Sequence, residues 1–201
     1  MIKNIVFDMG GVLIDYNMPK KAKSAAKDTK EYDFFMKEIY GKVEWIQADR
    51  GLFTFEEAIK KCQKRLNLTD DQVDRIVKTA LNPMPAMPYM YELVSELKSN
   101  GYKIYLLSNA PNNYPVFSKL IKVFELFDDL FFSCDYKLVK PDYKIYEKFC
   151  EVNNLNKEEC VFIDDAAPNI EGCINYGMQG ILFQNDAYRL REELRDIGVK
   201  I

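Results

Sequence analysis

Short apolar runs alternate with amphipathic stretches along most of this chain. The runs of strand length lie at residues 2–7, 102–107, 160–163 and 180–183, and polar residues follow each of them. Stretches with helical periodicity lie between these runs, at 88–99, 114–124 and 142–153. An alternation of strands and helices predicts a parallel sheet covered by helices, which is an α/β architecture.

Residues 17–82 interrupt this alternation, because they carry only helical patterning. Two segments there, 54–57 and 69–72, have the residue types of a capping box, with a threonine followed three positions later by Glu or Gln. At least two helices are therefore expected to begin in this stretch. The proline-rich segment 82–88 follows as a return linker. The simplest arrangement is a helical insert above the strand ends.

Composition is consistent with a compact enzyme. A length of 201 residues with 48% hydrophobic content is enough for one full domain with a core, or for a domain with a smaller insert. The net charge of -3 argues against a partner such as nucleic acid, since a surface that neutralises phosphate backbones is strongly basic. A small metabolite is the expected ligand.

The sequence shows no targeting signal and no closely spaced pair of cysteines. No signal-peptide-like segment follows Met1, and no apolar run is long enough to cross a membrane. The five cysteines are scattered, with no Cys-x-x-Cys pair, which favours buried thiols in a reducing compartment. We therefore predict a cytoplasmic protein with no membrane partner. The sequence carries no signal for an oligomeric state.

The chain contains no histidine. This excludes Ser-His-Asp and Cys-His catalysis, phosphohistidine chemistry and histidine-based zinc sites. Any catalysis must use carboxylates, lysines and hydroxyls.

Polar residues with matching chemistry cluster at or after the predicted strand ends. They are Asp8, Ser108, Asn109, Lys140, Asp164, Asp165 and Asn169. Each alone is common as a turn or helix-capping residue. Together, at one edge of a parallel sheet, they offer carboxylates for Mg²⁺, a hydroxyl and an amide for phosphate oxygens, and a lysine for charge neutralisation. They predict a phosphoryl-transfer site in which Asp8 attacks phosphorus and forms an aspartyl-phosphate.

Four motifs give the chain a family resemblance. The segments FDMGGVL at 7–13, LLSN at 106–109, KPD at 140–142 and FIDD at 162–165 resemble, in order and spacing, the motifs of the haloacid dehalogenase superfamily. The resemblance spans nearly the whole chain. It implies a Rossmann-like α/β core, a parallel sheet flanked by helices, made of residues 1–16 and 85–201, and an inserted all-helical cap at 17–84.

The resemblance also implies a role for each matching residue. Asp8 would be the nucleophile and a Mg²⁺ ligand, with the Gly10 carbonyl and Asp165 as further ligands. Ser108 and the backbone of Asn109 would bind the phosphate, and Lys140 would bridge the phosphate and Asp8. Asp164 would lie behind the metal ligands together with Asn169, although either residue can instead cap the following helix.

The insert is similar to that of the glucose-1-phosphatase-like branch, on the strength of the stretch from Trp45 to Gly51. Its residues Trp45, Gln47, Asp49 and Arg50 are candidates for substrate contacts, and packing or ion-pair roles are the alternative for each. A sugar phosphate such as a hexose 1-phosphate is the substrate that this resemblance implies.

One position departs from the family pattern. Most phosphatases of this superfamily carry an aspartate two residues after the nucleophile, where this chain has Gly10. That aspartate is a general acid and base, and losing such a group lowers rates by roughly 10²–10⁴-fold. Asp15 or Asp49 is a possible stand-in, although each can instead be a hinge or capping residue.

Two other functions follow from the same departure. A metal-free 2-haloacid dehalogenase uses the same nucleophile and also lacks the second aspartate, but its last motif lacks the pair formed here by Asp164 and Asp165. A non-catalytic binding protein is the other alternative. Retention of Asp8, Lys140 and Asp165 together favours the enzyme.

Overall fold

The computed structural model describes residues 1–81, 84–112 and 121–201. Five strands form one sheet in the order β3-β2-β1-β4-β5, and every neighbouring pair is parallel. The strands are β1 (Asn4–Phe7), β2 (Lys103–Ser108), β3 (Asp129–Phe132), β4 (Cys160–Asp164) and β5 (Gln179–Leu182). The predicted α/β fold is confirmed.

Helices connect these strands in the predicted alternation. They are α1 (Met18–Ala25), α2 (Thr29–Glu38), α3 (Val43–Asp49), α4 (Phe55–Leu66), α5 (Asp70–Leu81), α6 (Pro88–Ser99), α7 (Ser133–Tyr136), α8 (Tyr143–Val152), α9 (Ala167–Tyr176) and α10 (Ala187–Asp196). Short 3₁₀ helices lie at Lys122–Leu126 and Lys157–Glu159. The helices expected at 88–99 and 142–153 are present. The one expected at 114–124 falls mostly outside the described residues.

The edge strand β3 was not among the predicted strands. Its sequence, DLFF, follows the apolar residues of 123–127 closely and shows too little alternation to be separated from them. Pairing with β2 fixes it as a strand, because Leu106 and Leu107 align with Leu130 and Phe131. The sheet therefore has one more strand than the sequence pattern indicates.

The sheet separates two hydrophobic layers. Ile5 and Phe7 of β1 face the layer that contains α6, α10 and the insert, whereas Val6 faces the layer formed with α8 and α9. All four residues of β1 are buried. A strand covered on both faces has a continuous apolar sequence, which explains why β1 is easily recognised and why it ends sharply at the polar Asp8.

Helices α1–α5 all lie between β1 and α6. The chain leaves the sheet and returns to it side by side, since Asp15 N donates to Pro85 O at 2.9 Å and Met87 N donates to Leu13 O at 2.9 Å. This pairing lies beside the predicted boundaries at 16/17 and 84/85. The division into core and cap domains stays a prediction.

Both predicted capping boxes are formed. At the start of α4, Glu57 N donates to Thr54 Oγ1 at 3.1 Å, and Thr54 N donates back to Glu57 Oε2 at 2.8 Å. At the start of α5, Thr69 and Gln72 exchange the equivalent bonds, at 2.9 and 3.3 Å. These helices begin where the sequence predicts.

The end of α3 packs directly against the sheet domain. Gly51, with φ of +69°, approaches so closely that an added Cβ would lie 2.3 Å from the carbonyl oxygen of Cys134. Lys137 Nζ donates to the Gly51 carbonyl, and Ser133 Oγ donates to the Asp49 carbonyl at 2.5 Å. The insert is thus attached to the segment that follows β3.

The cysteines and the helices can also be compared with the sequence pattern. All five cysteines are free and buried, as the scattered spacing predicts. Within the described ranges, none of the helices has both the length and the apolar character that a bilayer crossing requires.

We predict that Thr54→Ala lowers the free energy of unfolding by about 1 kcal/mol, because Glu57 N loses its capping acceptor. Urea unfolding would measure the change. The matched control is Thr79→Ala, since the Thr79 hydroxyl only bonds the Arg75 carbonyl within its own helix. That variant should stay within about 0.5 kcal/mol of wild type. Equal stabilities of the two variants would contradict the capping role.

Candidate active site

A cavity of about 380 Å³ lies at the carboxyl edge of the sheet, between the strand ends and the insert. Nine of the predicted site residues line it: Asp8, Gly10, Trp45, Asp49, Ser108, Asn109, Lys140, Asp165 and Asn169. Asp164 is fully buried behind them. The structure thus brings the residues at the strand ends together with Trp45 and Asp49 of α3.

Two of the proposed substrate contacts, Gln47 and Arg50, do not line this cavity. Helix geometry explains the difference, because positions 45 and 49 are one turn apart on the same face of α3, whereas 47 and 50 lie on other faces. Arg50 Nε is buried with no hydrogen-bond partner among the described residues. Trp45 and Asp49 are therefore the two of the four that can meet a ligand here.

Lys140 is the electrostatic centre of the site. Its buried Nζ lies 2.7 Å from Asp8 Oδ1 and 2.7 Å from Asp164 Oδ2, and it also donates to the Leu107 carbonyl at 3.1 Å. Burial lowers the pKa of Lys140, but Asp164 and Asp8 together raise it above its ordinary value. The ammonium group stays charged and joins the ends of β1 and β4.

Asn109 holds the backbone of Lys140 in place. Lys140 N donates to Asn109 Oδ1 at 2.9 Å, and Asn109 Nδ2 donates to the Lys140 carbonyl at 3.1 Å. Gly172 allows α9 to pack close to this loop, since an added Cβ would lie 2.6 Å from the Pro141 carbonyl oxygen. The side chain of Asn109 thus positions the lysine, which leaves its backbone as the predicted phosphate donor.

Asp164 is saturated with hydrogen bonds. Besides Lys140, it accepts from Ala166 N at 2.8 Å and from Asn169 Nδ2 at 3.1 and 3.0 Å to its two oxygens. Tyr146 Oη donates to the Asn169 carbonyl at 2.7 Å and fixes that residue in turn. This placement agrees with a role for Asp164 and Asn169 behind the metal ligands.

Three carboxylates lie close enough together to share a cation. One oxygen from each of Asp8, Asp164 and Asp165 lies within 4.8 Å of the others. Burial raises the pKa of Asp8 against the opposing effect of Lys140, and burial together with Asp164 also raises the pKa of Asp165. One ammonium group can balance the charge of only one of these three carboxylates. A hard divalent cation such as Mg²⁺ fits this oxygen-rich, negatively charged site.

Gly11 makes room for Asp165. Its φ is +75°, and an added Cβ would lie 2.1 Å from Asp165 Oδ2. Only a glycine combines this left-handed backbone with so close an approach. The second glycine of the first motif therefore places the carboxylate that comes from β4.

Tyr16 fills the space beside Gly10. A Cβ at position 10 would lie 3.2 Å from both Cβ and Cγ of Tyr16, and Tyr16 is hydrogen-bonded to Tyr40. The volume that a side chain would need two residues after Asp8 is partly taken by this tyrosine. Gly10 and Tyr16 therefore pack closely against each other.

The two candidate stand-in carboxylates differ in position. Asp15 is exposed and lies outside the cavity, because the chain there pairs with Pro85 as it leaves the sheet. Asp49 lies in the cavity wall, where burial raises its pKa to about 7, with Lys140 lowering it and Asp8 raising it. Asp49 is the acidic side chain that the insert brings to the site.

Sequence patterns missed several residues of the site. Tyr16, Tyr40 and Phe55 line the cavity, and Ser133 lies buried beside it. The tyrosines carry no motif, so only tertiary packing identifies them. Ser133 had a usable signal, because it follows the apolar pair Phe131-Phe132 as Asp8 follows its own strand.

Comparison with known proteins decides the family. The family model of haloacid dehalogenase-like hydrolases matches residues 2–177. The chain belongs to this family. The prediction of a hydrolase is thereby confirmed.

Relatives within the family have different activities. The chain is 26% identical to the sesquiterpene phosphatase AstK of Aspergillus oryzae, over 97% of this chain and 96% of the relative. It is 24% identical to (S)-2-haloacid dehalogenase 4A of Burkholderia cepacia, over 90% and 82%. A similar fold is that of a family enzyme from Bacteroides thetaiotaomicron in complex with magnesium and inorganic phosphate, with a TM-score of 0.72 and 24% identity over 94% and 99%.

We predict that Gly11→Ala weakens Mg²⁺ binding by roughly 10–100-fold, the range seen when residues that support metal ligands are changed. The added methyl group would displace the Asp165 carboxylate. Titration calorimetry with Mg²⁺ alone would measure the affinity.

The control for this prediction is Gly101→Ala. Gly101 has a comparable φ of +89°, but an added Cβ there meets nothing within 4 Å. This variant carries the backbone strain without the collision, so its Mg²⁺ affinity should equal that of wild type. Unchanged affinity in Gly11→Ala would contradict the placement of Asp165 as a ligand.

Proposed function

We propose that this protein is a Mg²⁺-dependent phosphatase that hydrolyses a small phosphate monoester through an aspartyl-phosphate on Asp8. The observation that carries the proposal is the buried ammonium group of Lys140 between Asp8 and Asp164, beside Asp165 at the base of one cavity. A phosphatase among the relatives, and a similarly folded enzyme with magnesium and phosphate bound, support it.

The chemistry assigns each group a task. A carboxylate oxygen of Asp8 attacks phosphorus, the ester oxygen leaves, and water then releases inorganic phosphate and restores Asp8. Lys140 neutralises the charge of Asp8 and of the incoming phosphate, while Ser108 and the Asn109 backbone hold phosphate oxygens.

The metal site in this proposal consists of Asp8, Asp165 and the Gly10 carbonyl. When bound, Mg²⁺ reduces the repulsion between the carboxylate and the phosphate and stabilises the equatorial oxygens. Asp164 keeps its place behind these ligands, since its oxygens are already occupied by Lys140, Asn169 and Ala166.

The substrate proposed from the glucose-1-phosphatase-like resemblance is a sugar phosphate such as a hexose 1-phosphate. Trp45 supports this choice, because it lies in the cavity wall, in edge contact with Tyr40 and Phe55 at ring distances of 5.1 and 4.8 Å. Such an aromatic wall can pack on the apolar face of a sugar, and equally on another apolar leaving group. We also propose that the protein acts in the cytoplasm.

A 2-haloacid dehalogenase is the second candidate, favoured by the haloacid dehalogenase among the relatives. The three neighbouring carboxylates argue for the phosphatase, because a reaction that needs no metal gains nothing from concentrating negative charge beside its nucleophile.

We expect the purified protein to hydrolyse p-nitrophenyl phosphate with Mg²⁺ and to lose this activity in EDTA. Asp8→Asn should lower kcat by roughly 10³-fold or more, as removal of a covalent nucleophile does. The matched control is Asp33→Asn, an exposed aspartate of α2, which should keep wild-type activity. Released nitrophenol is the measurement.

Two results would contradict the proposal. Turnover of 2-haloacids in EDTA would establish the dehalogenase instead. Absence of hydrolysis in both the wild type and Asp8→Asn, across sugar phosphates, nucleotides and phosphoglycolate, would favour a binding protein without catalysis.

A further inference from the structure

Asp49 occupies an unusual position for a carboxylate. Its side chain lines the cavity together with Asp8, Lys140 and Asp165. Among the described residues, its carboxylate oxygens have no hydrogen bond or ion pair. Asp164, which is buried nearby, has every oxygen occupied. A cavity carboxylate without a protein partner is available for a ligand.

The backbone of Asp49 is held by the phosphate-binding side of the site. Ser133 Oγ donates to the Asp49 carbonyl at 2.5 Å and accepts from Ala110 N at 2.9 Å. Ala110 directly follows Ser108-Asn109. One buried hydroxyl thus links the loop that would hold the phosphate to the helix end that carries Asp49.

Few other groups in the cavity can transfer a proton. Among residues 1–81, 84–112 and 121–201, its titratable lining consists of Asp8, Tyr16, Tyr40, Asp49, Lys140 and Asp165. Lys140 is committed to the ion pairs with Asp8 and Asp164, and Asp165 lies among the predicted metal ligands. The two tyrosines are hydrogen-bonded to each other. Asp49 is the remaining carboxyl group.

We propose that Asp49, carried by the insert, is the general acid and base of this enzyme and takes the place of the side chain that Gly10 lacks. The proposal rests on the phosphatase function above. As Asp8 forms its bond to phosphorus and the phosphorus–ester oxygen bond breaks, the Asp49 carboxyl gives its proton to the ester oxygen, and a neutral alcohol leaves.

The second half of the reaction returns the proton. The Asp49 carboxylate takes a proton from a water molecule as that water attacks the phosphorus of the aspartyl-phosphate. Asp8 is released as a carboxylate, inorganic phosphate forms, and Asp49 is again protonated. The sum is one ester and one water converted to one alcohol and one phosphate.

This assignment makes catalysis depend on the docking of the insert. In the usual arrangement of the superfamily the acid stands two residues from the nucleophile, within the core. Here the acid lies at the end of α3, so proton transfer requires that the contacts of Ser133 with Asp49 and of Gly51 with Cys134 be formed.

The test compares two esters that differ in leaving group. With Mg²⁺ present, kcat/KM is measured for phenyl phosphate, whose basic phenolate needs a proton, and for p-nitrophenyl phosphate, whose leaving group does not. We expect Asp49→Asn to lower kcat/KM for phenyl phosphate by about 10²–10⁴-fold and for p-nitrophenyl phosphate by about tenfold at most. The ratio of the two values does not depend on the active fraction of a preparation.

Two controls accompany this measurement. Asp15→Asn changes the exposed aspartate outside the cavity and should leave both values at the wild-type level. A rapid burst of nitrophenol followed by slower turnover in Asp49→Asn would support the loss of the base in the second step.

The possible results of this test distinguish a failure of the Asp49 role from a failure of the phosphatase function. Equal losses on both esters, or no loss on either, would overturn the role of Asp49 while leaving Asp8 as nucleophile. A wild-type protein that hydrolyses neither ester would overturn the phosphatase function and this proposal with it.

Discussion

The buried ion pairs of Lys140 hold together the parts of this site that come from distant positions in the chain. An ammonium group out of contact with water is tolerated only with close, well-placed partners, and here Asp8 and Asp164 each lie 2.7 Å away. Removing the ammonium group would leave Asp8 and Asp164 without the cation that they share. The ends of β1 and β4 and the Lys140 loop must therefore meet in one geometry.

The same charges explain why the site suits phosphate and a cation. Lys140 compensates one of three neighbouring carboxylates, so the protein alone leaves a negative cluster at the base of a cavity. A divalent cation bound there would complete the balance, and a phosphate monoester would then meet two cationic groups beside the nucleophile. Asp49 lines the same cavity from the side of the insert, where burial raises its pKa to about 7.

A structural feature could be predicted here when its sequence pattern lies within one short segment of the chain. β1 and Asp8 were predictable because a fully buried strand has a continuous apolar sequence and stops at a polar residue. The edge strand β3 was not, since its apolar residues follow those of 123–127 so closely that they do not form a separate run in the sequence. The choice between Asp15 and Asp49 depends on how the insert docks, and that docking includes a hydrogen bond from the Ser133 hydroxyl, 84 positions from Asp49 along the chain.

If Asp8 is the nucleophile, it becomes phosphorylated during turnover. The direct test is to quench the enzyme with acid during hydrolysis of a phosphate monoester and to map the modified peptide by mass spectrometry. We expect one added phosphoryl group on Asp8 that is removed by hydroxylamine, as is typical of an acyl phosphate. A phosphoryl group on any other residue, or rapid turnover with no modified peptide, would rule out Asp8 as the nucleophile.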